Sequence, residues 1–368
     1  MLVIFILVAG LRWRLGVDTP NYLGAFYHVY PTINKYSFDD YRLFNSPLFV
    51  LLNSLVKTLG GRFYVVQLVH ATIVNVLIFK YIRRHSSYVF TCLFFYSFIC
   101  YTTYNMETMR ASISISISLF ANDYLLDKKW WKGYSLYLLA LLFHPQTIVM
   151  LVLPLFFFLK FDKIGILILI GAFLFGIILN DVLQDYMFLF EENDTLERKI
   201  TSYTESEKYG GQGGNVSFFI TQILIPLLFL IYSLLYIRIV DCKSNLLKLE
   251  PFLMLGIAFI FIRTNFEIAY RFVDAFKIYF VLFYSELFVK LIVDKKSIDK
   301  AVAYIRSLII LFPIISLFLF YTYLFDKGKG YRYIPYNSVF ERNINRQQQL
   351  KYNKVQSTKY PHININEY

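Results

Sequence analysis

A chain of 368 residues that is 57% hydrophobic and only 17% charged, with a mean hydropathy of +0.50, lies outside the balance of water-soluble domains. The prediction is an all-α, polytopic integral membrane helix bundle. The net charge of +12 is carried mostly as a bias between alternate loops, which argues against a nucleic-acid surface.

A bilayer core of ~30 Å takes ~20 helical residues per span, fewer inside a bundle. About eleven segments qualify on that measure: 1–13, 62–82, 87–104, 109–126, 133–144, 146–160, 164–181, 215–237, 249–265, 269–292 and 301–325. Residues 46–59, "SPLFVLLNSLVKTL", are apolar but too short to cross, and are expected to be interfacial or re-entrant. The membrane domain is thus residues 1–325, with loops 14–61 and 182–214 and a basic tail at 326–368. The first span is short, and it lacks the basic start and cleavage site of a signal peptide.

Alternate turns differ in positive charge. One set carries Arg83, Arg84, Lys128, Lys129, Lys132, Lys160, Lys163, Arg238, Lys243, Lys248, Lys290, Lys295, Lys296 and Lys300, whereas the other carries Arg110, Arg263 and Arg271. The basic set is predicted to be cytoplasmic, which puts loops 14–61 and 182–214 and the tail on the outer face. Anionic lipid or glycan is a candidate partner for the tail; a solvated tail is the alternative. Cys92, Cys100 and Cys242 make no disulfide framework and read as packing residues.

In chain order, "LRWRLGVDTPNY" places Arg12, Arg14, Asp18 and Tyr22 in a glycine- and proline-punctuated turn at the outer surface. The arginines and Trp13 also suit plain interface anchoring. "FDDY" at 38–41 pairs two acids, which is weak evidence for a metal. "METMRASISISIS" alternates serine and isoleucine with the period of a strand, but an unpaired strand in lipid would leave its backbone unsatisfied, so a helix is required. Ser112 and Ser116 then share one face and Ser114 and Ser118 another, offering small polar surfaces for close packing. Arg110 falls in the first turn of that helix, where the backbone N–H groups are already positive, a combination suited to phosphate. Pairing with Glu107 or snorkelling to headgroups is its alternative.

His144, in "FHPQTIV", stands at the outer mouth of a helical hairpin, with Pro145 starting the next helix. It can exchange a proton near neutral pH, or be structural. "IRTNFEIAYR" spaces Arg263, Glu267 and Arg271 by four residues, on one face if the helix is continuous. Loop 182–214 ends in a flexible glycine-rich run, and its Arg198, Lys199, Tyr203 and Tyr209 can hold sugars or stand solvated. The sequence shows no P-loop, HExxH, GxSxG, DxD or His/Cys cluster.

Taken together, "RWRLGVDTPNY", "METMRASISISISLFA", "FHPQTIV", "LERKITSY", "AYRFVDAFKIYF" and "IPYNSVF" resemble the EpsG-type family of Wzy-like polysaccharide polymerases over nearly the whole chain. The resemblance implies a GT-C-like membrane glycosyltransferase architecture in the bacterial inner membrane, multi-pass, with no cofactor or metal. It implies joining of undecaprenyl-pyrophosphate-linked oligosaccharide repeat units on the outer face into an O-antigen, capsule or exopolysaccharide. Membrane lipids, a chain-length regulator and a flippase are the expected partners, and no nucleic acid. Carried over by the same resemblance, Arg14, Asp18, Arg110, His144, Arg198 and Arg271 are site residues; His144 is the first choice of base and Asp18 the second, while Arg110 and Arg271, with Arg14, Arg198 and Tyr22, hold the pyrophosphate and sugars. Relatives usually have a further helix before the "RWRLG" loop, and the N-terminus departs from that pattern.

Three other readings stay open. A flippase or exporter of the same lipid would spread charge through both leaflets, whereas the charges here gather at outer span ends. A glycan ligase would share the donor motifs. A membrane acyltransferase would need a base on the inner side, where His85 is the histidine available.

Overall fold

The structure is a computed structural model that describes residues 1–16, 18–37, 46–185, 245–263, 269–293, 333 and 336–341. These are helical with irregular connections. They fall into two compact units, one from the described parts of Met1–Arg84, Leu93–Val152 and Ser307–Tyr368, the other from those of His85–Cys92 and Leu153–Arg306. The expected spans at 215–237 and 301–325, and Arg198, lie outside the described residues.

In the first unit, α1 (Leu2–Gly10), α2 (Thr19–Gly24), α3 (Pro47–Thr58), α4 (Phe63–His85), α5 (Val89–Ile99), α6 (Met109–Leu126) and α7 (Trp130–Phe143) follow one another. Hydrogen bonds and ring contacts fix their directions. His70 Nε2 lies 2.8 Å from Ser112 Oγ near the start of α4 and α6, and Arg84 pairs with Asp123 at 3.2 Å near their ends. Those two helices therefore run parallel. Gly10 of α1 packs on Leu68 and Phe5 on Phe79, with ring centroids 5.5 Å apart, so α1 runs against α4. One end of the unit accordingly collects the start of α4 and α6 and the close of α1 and α7.

The serine-isoleucine run is helical, and α6 is the central element, with all four serines buried. Its polar side chains are joined to other helices: Ser112 to His70, Ser114 to Thr147 and Asn122 to Tyr137. Asn75 of α4 donates to Asn105 at 2.6 Å, and Asn105 donates to the Tyr96 hydroxyl at 2.9 Å. In an apolar bundle such bonds specify which helices meet, where greasy contact alone does not. Gly133 lets α7 approach α6 closely: an added Cβ would lie 2.5 Å from Leu125 Cγ and 3.2 Å from the Ala121 carbonyl oxygen.

Two expectations are corrected. The first helix stops at Gly10 rather than running to residue 13, because Arg12 turns back and donates to the Ala9 carbonyl. The segment expected as a helix at 146–160 is a 3-10 helix, Pro145–Phe156, with Pro154 inside it. By length and apolarity one helix among the described residues, Phe63–His85, is fit to cross a membrane, with Pro47–Thr58, Val89–Ile99, Pro145–Phe156 and Lys163–Gly176 shorter apolar helices. Of the eleven expected spans, those at 215–237 and 301–325 lie outside the described residues, and buried serine, asparagine and acidic groups lower the apolarity of described helices such as α6.

The second unit holds α8 (Lys163–Asp185), α9 (Glu250–Arg263) and α10 (Tyr270–Val293). Phe252 stacks on Tyr279 with centroids 4.9 Å apart, and Phe259 on Phe276 at 5.7 Å, so α9 and α10 form an antiparallel hairpin. Glu250 accepts the Phe161 N–H at 2.6 Å. Arg263 ends α9 and Arg271 begins α10. Arg263 and Arg271 therefore stand on two helices that fold back on each other and bury the aromatic stack, while Glu267 lies outside the described residues.

Candidate functional site

Arg110 stands in the first turn of α6. The Tyr22 phenol oxygen accepts hydrogen bonds from both the backbone N–H and the guanidinium of Arg110, and the guanidinium carbon lies 5.8 Å from the Tyr22 ring centroid. Asp18 and Tyr30 act on the same guanidinium through their charge or dipole. Burial pushes the Tyr22 phenol above its ordinary range, opposed by Arg110, so Tyr22 keeps its proton at neutral pH. A buried oxygen thus occupies the helix-start position that suits an anion. Arg110 Nε is buried with no hydrogen-bond partner among the described residues.

Several elements hold this arrangement. Gly16 has φ +101, and a Cβ there would lie 2.2 Å from the Met106 carbonyl oxygen, so the turn before α2 presses against the π-helical turn Thr103–Glu107 that leads into α6. Arg14 also adopts a left-handed backbone, φ 53, uncommon for its residue type, and its guanidinium lies 5.2 Å from the Trp13 ring centroid. Lys57 of α3 donates to the carbonyls of Phe26, Tyr27 and Tyr30 at 3.1, 3.2 and 2.7 Å, closing the π-helical turn Ala25–Val29 and fixing Tyr30. Tyr22 packs on Phe49 of α3, centroids 5.6 Å apart.

The C-terminal segment also reaches this end. Trp13 N–H donates to the Asn337 carbonyl at 2.7 Å, Val339 N–H to Leu11 at 2.9 Å, and the Tyr336 hydroxyl to Val8 at 2.9 Å. Tyr333 donates to Glu107, which engages Glu107 from the tail, while the groups acting on Arg110 are Tyr22, Tyr30 and Asp18.

His144 closes α7 in an extended conformation, at the same end of the unit as Arg110. Thr147, three residues on, bonds Ser114, which lies one turn from Arg110 on the same face of α6. The Gln146 N–H donates to His144 Nδ1 at 3.1 Å, so the neutral ring carries its proton on Nε2. The structure thus gathers Arg14, Asp18, Tyr22, Arg110 and His144 at one end of the first unit. Arg271 belongs to the second unit, at the hairpin turn of α9 and α10, and Arg198 lies outside the described residues.

Tyr30, Lys57 and three buried amides escaped the sequence reading. Asn21 Oδ1, Asn53 Oδ1 and Gln67 Nε2 are buried without a hydrogen-bond partner among the described residues. They sit on α2, α3 and the start of α4, all at the Arg110 end. Unsatisfied buried polar atoms are few in folded proteins and call for a partner. The only legible signal was their polarity in otherwise apolar helices.

The sequence model of the EpsG family matches residues 1–338. No curated protein and no solved structure matches the chain. With that match spanning most of its length, the chain belongs to the EpsG family and has the general role of a membrane-associated, polymerase-like transferase of polysaccharide synthesis.

Proposed function

We propose that the protein joins undecaprenyl-pyrophosphate-linked oligosaccharide repeat units into a surface polysaccharide at the outer face of the bacterial inner membrane. The observation that carries this reading is Arg110 at the start of α6, bonded to Tyr22 with Asp18 and Tyr30 beside it. A guanidinium and helix N–H groups suit a pyrophosphate leaving group, whose charge grows as the sugar departs. Orientation is supported by the basic residues at the far end, where Arg84 pairs with Asp123 and Lys129 with Asp127.

In the reaction the anomeric carbon–oxygen bond to the pyrophosphate breaks, and a bond forms from that carbon to a hydroxyl oxygen of the acceptor sugar. The hydroxyl proton needs a base. Because His144 Nδ1 is taken by the Gln146 N–H, its Nε2–H serves as a donor to the developing charge. Asp18 is then the base, reversing the order that the resemblance implied. Arg14, and from other parts of the chain Arg198 and Arg271, are assigned to the sugars and the second carrier. Asn21, Asn53 and Gln67 supply donors and acceptors for sugar hydroxyls.

The test is incubation of the purified protein in lipid with its cognate carrier-linked repeat unit. A ladder of products from the wild type, lost in folded Arg110→Ala and Asp18→Asn and partly kept in Asp18→Glu, supports the reading. Movement of labelled lipid across the bilayer without a ladder overturns it in favour of a flippase.

A further inference from the structure

At the other end of the first unit, α4, α6 and α7 enclose an open groove of about 740 Å³. Leu77, Ile117, Leu136 and Leu139 form its apolar wall, and Lys80 and Lys132 are its charged residues. Among the described residues no acidic one lines it. The acids nearest along the chain are engaged elsewhere, Asp123 with Arg84 at 3.2 Å and Asp127 with Lys129 at 3.1 Å. Lys80 is held over the Phe120 ring, 5.9 Å from its centroid, an aromatic member of the lining. Trp131, also in the lining, is 85% exposed, as is usual for the amphipathic rings that mark a headgroup level.

We propose that this groove holds one anionic phospholipid, its phosphate met by Lys80 and Lys132 and an acyl chain lying along the leucine and isoleucine wall. A cation pair above an apolar trough matches a lipid with a charged head and a greasy tail, and basic pockets between membrane helices on the cytoplasmic side are suited to such heads. A zwitterionic lipid offers the same tail but a neutralised head. The groove lies about 15 Å along α6 from Arg110 by helical rise, so its occupant differs from the carrier bound at the opposite end. The inference rests on the membrane reading above.

Full-length protein is reconstituted in zwitterionic vesicles containing a small fraction of either brominated phosphatidylglycerol or brominated phosphatidylcholine. Fluorescence that disappears in Trp131→Phe isolates the signal of Trp131. The brominated anionic lipid is expected to quench that signal at a lower fraction than the zwitterionic one, with the preference falling about fivefold for each of Lys80→Gln and Lys132→Gln. Both lysines are exposed, so these variants keep the fold. Equal quenching by the two lipids, or a preference unchanged in the double variant, overturns the proposal. Quenching by neither lipid overturns the membrane placement itself, and the proposal with it.

Discussion

Arg110 is the residue on which the site turns, and its surroundings set what each substitution should do. Arg110→Ala is expected to lower turnover about 10²–10³-fold, the usual cost of losing one donor to developing charge. Arg110→Lys should recover little, since a point charge cannot reproduce the planar fork; initial rates of ladder formation check both. Tyr22→Phe keeps the ring but loses the oxygen that Arg110 contacts. Its rate should fall about tenfold or more, as for a hydrogen bond to a charged group, with Tm nearly unchanged. Burial raises the Tyr22 pKa, so its neutral form persists beyond the usual tyrosine range; the alkaline limb of a pH–rate profile should therefore stay in place in Tyr22→Phe, and a shift of that limb would show that Tyr22 titrates in the assay. Arg110 was legible because a charge interrupts an apolar run at a helix start. Tyr30 and Lys57 were not, because an aromatic in a loop and a lysine on a short amphipathic helix look identical to interface anchors until the chain brings them together.

Among elements, α6 was read correctly against its local pattern. Alternating serine and isoleucine favours a strand on propensity, and the need to satisfy backbone groups within an apolar bundle overrides it. The hairpin of α9 and α10 was half legible: both helices were expected as separate spans, while the aromatic pairing that folds one on the other leaves no trace in the four-residue spacing of the arginines. The 3-10 character of Pro145–Phe156 had a cue in Pro154, but the tie of Thr147 to Ser114 is a long-range contact invisible to periodicity. At this scale the turn around Gly16 makes a sharp test. Gly16→Ala adds a left-handed strain of about 1–2 kcal/mol to a Cβ 2.2 Å from the Met106 carbonyl oxygen. The variant should melt several degrees lower and lose ladder formation, because the turn that carries Asp18 and Tyr22 is displaced from α6. In the π-helical turn Thr103–Glu107, Asn105→Ala removes the acceptor of Asn75 and the donor to the Tyr96 hydroxyl and should cost about 1–3 kcal/mol in a denaturation measurement.

For the molecule as a whole, three of the scattered motifs become one place only on folding: the turn after α1, the start of α6 and the close of α7 share an end of the first unit. Order along the chain was legible, and so was the helical class, but not the way residues 336–339 seal the N-terminal turn, since a few backbone hydrogen bonds leave no compositional trace. Val339→Pro removes the N–H given to Leu11 and should lower stability by about 1–3 kcal/mol, whereas Val339→Ala should be close to neutral by the same melting assay. The seal has a further meaning for biogenesis. Tyr336 reaches Val8 across 328 positions of sequence, so the turn carrying Arg14 and Asp18 emerges from the ribosome long before the strip that closes it. Assembly of this end must wait until residues 336–339 have been made, and a nascent chain shorter than that has no sealed N-terminal turn.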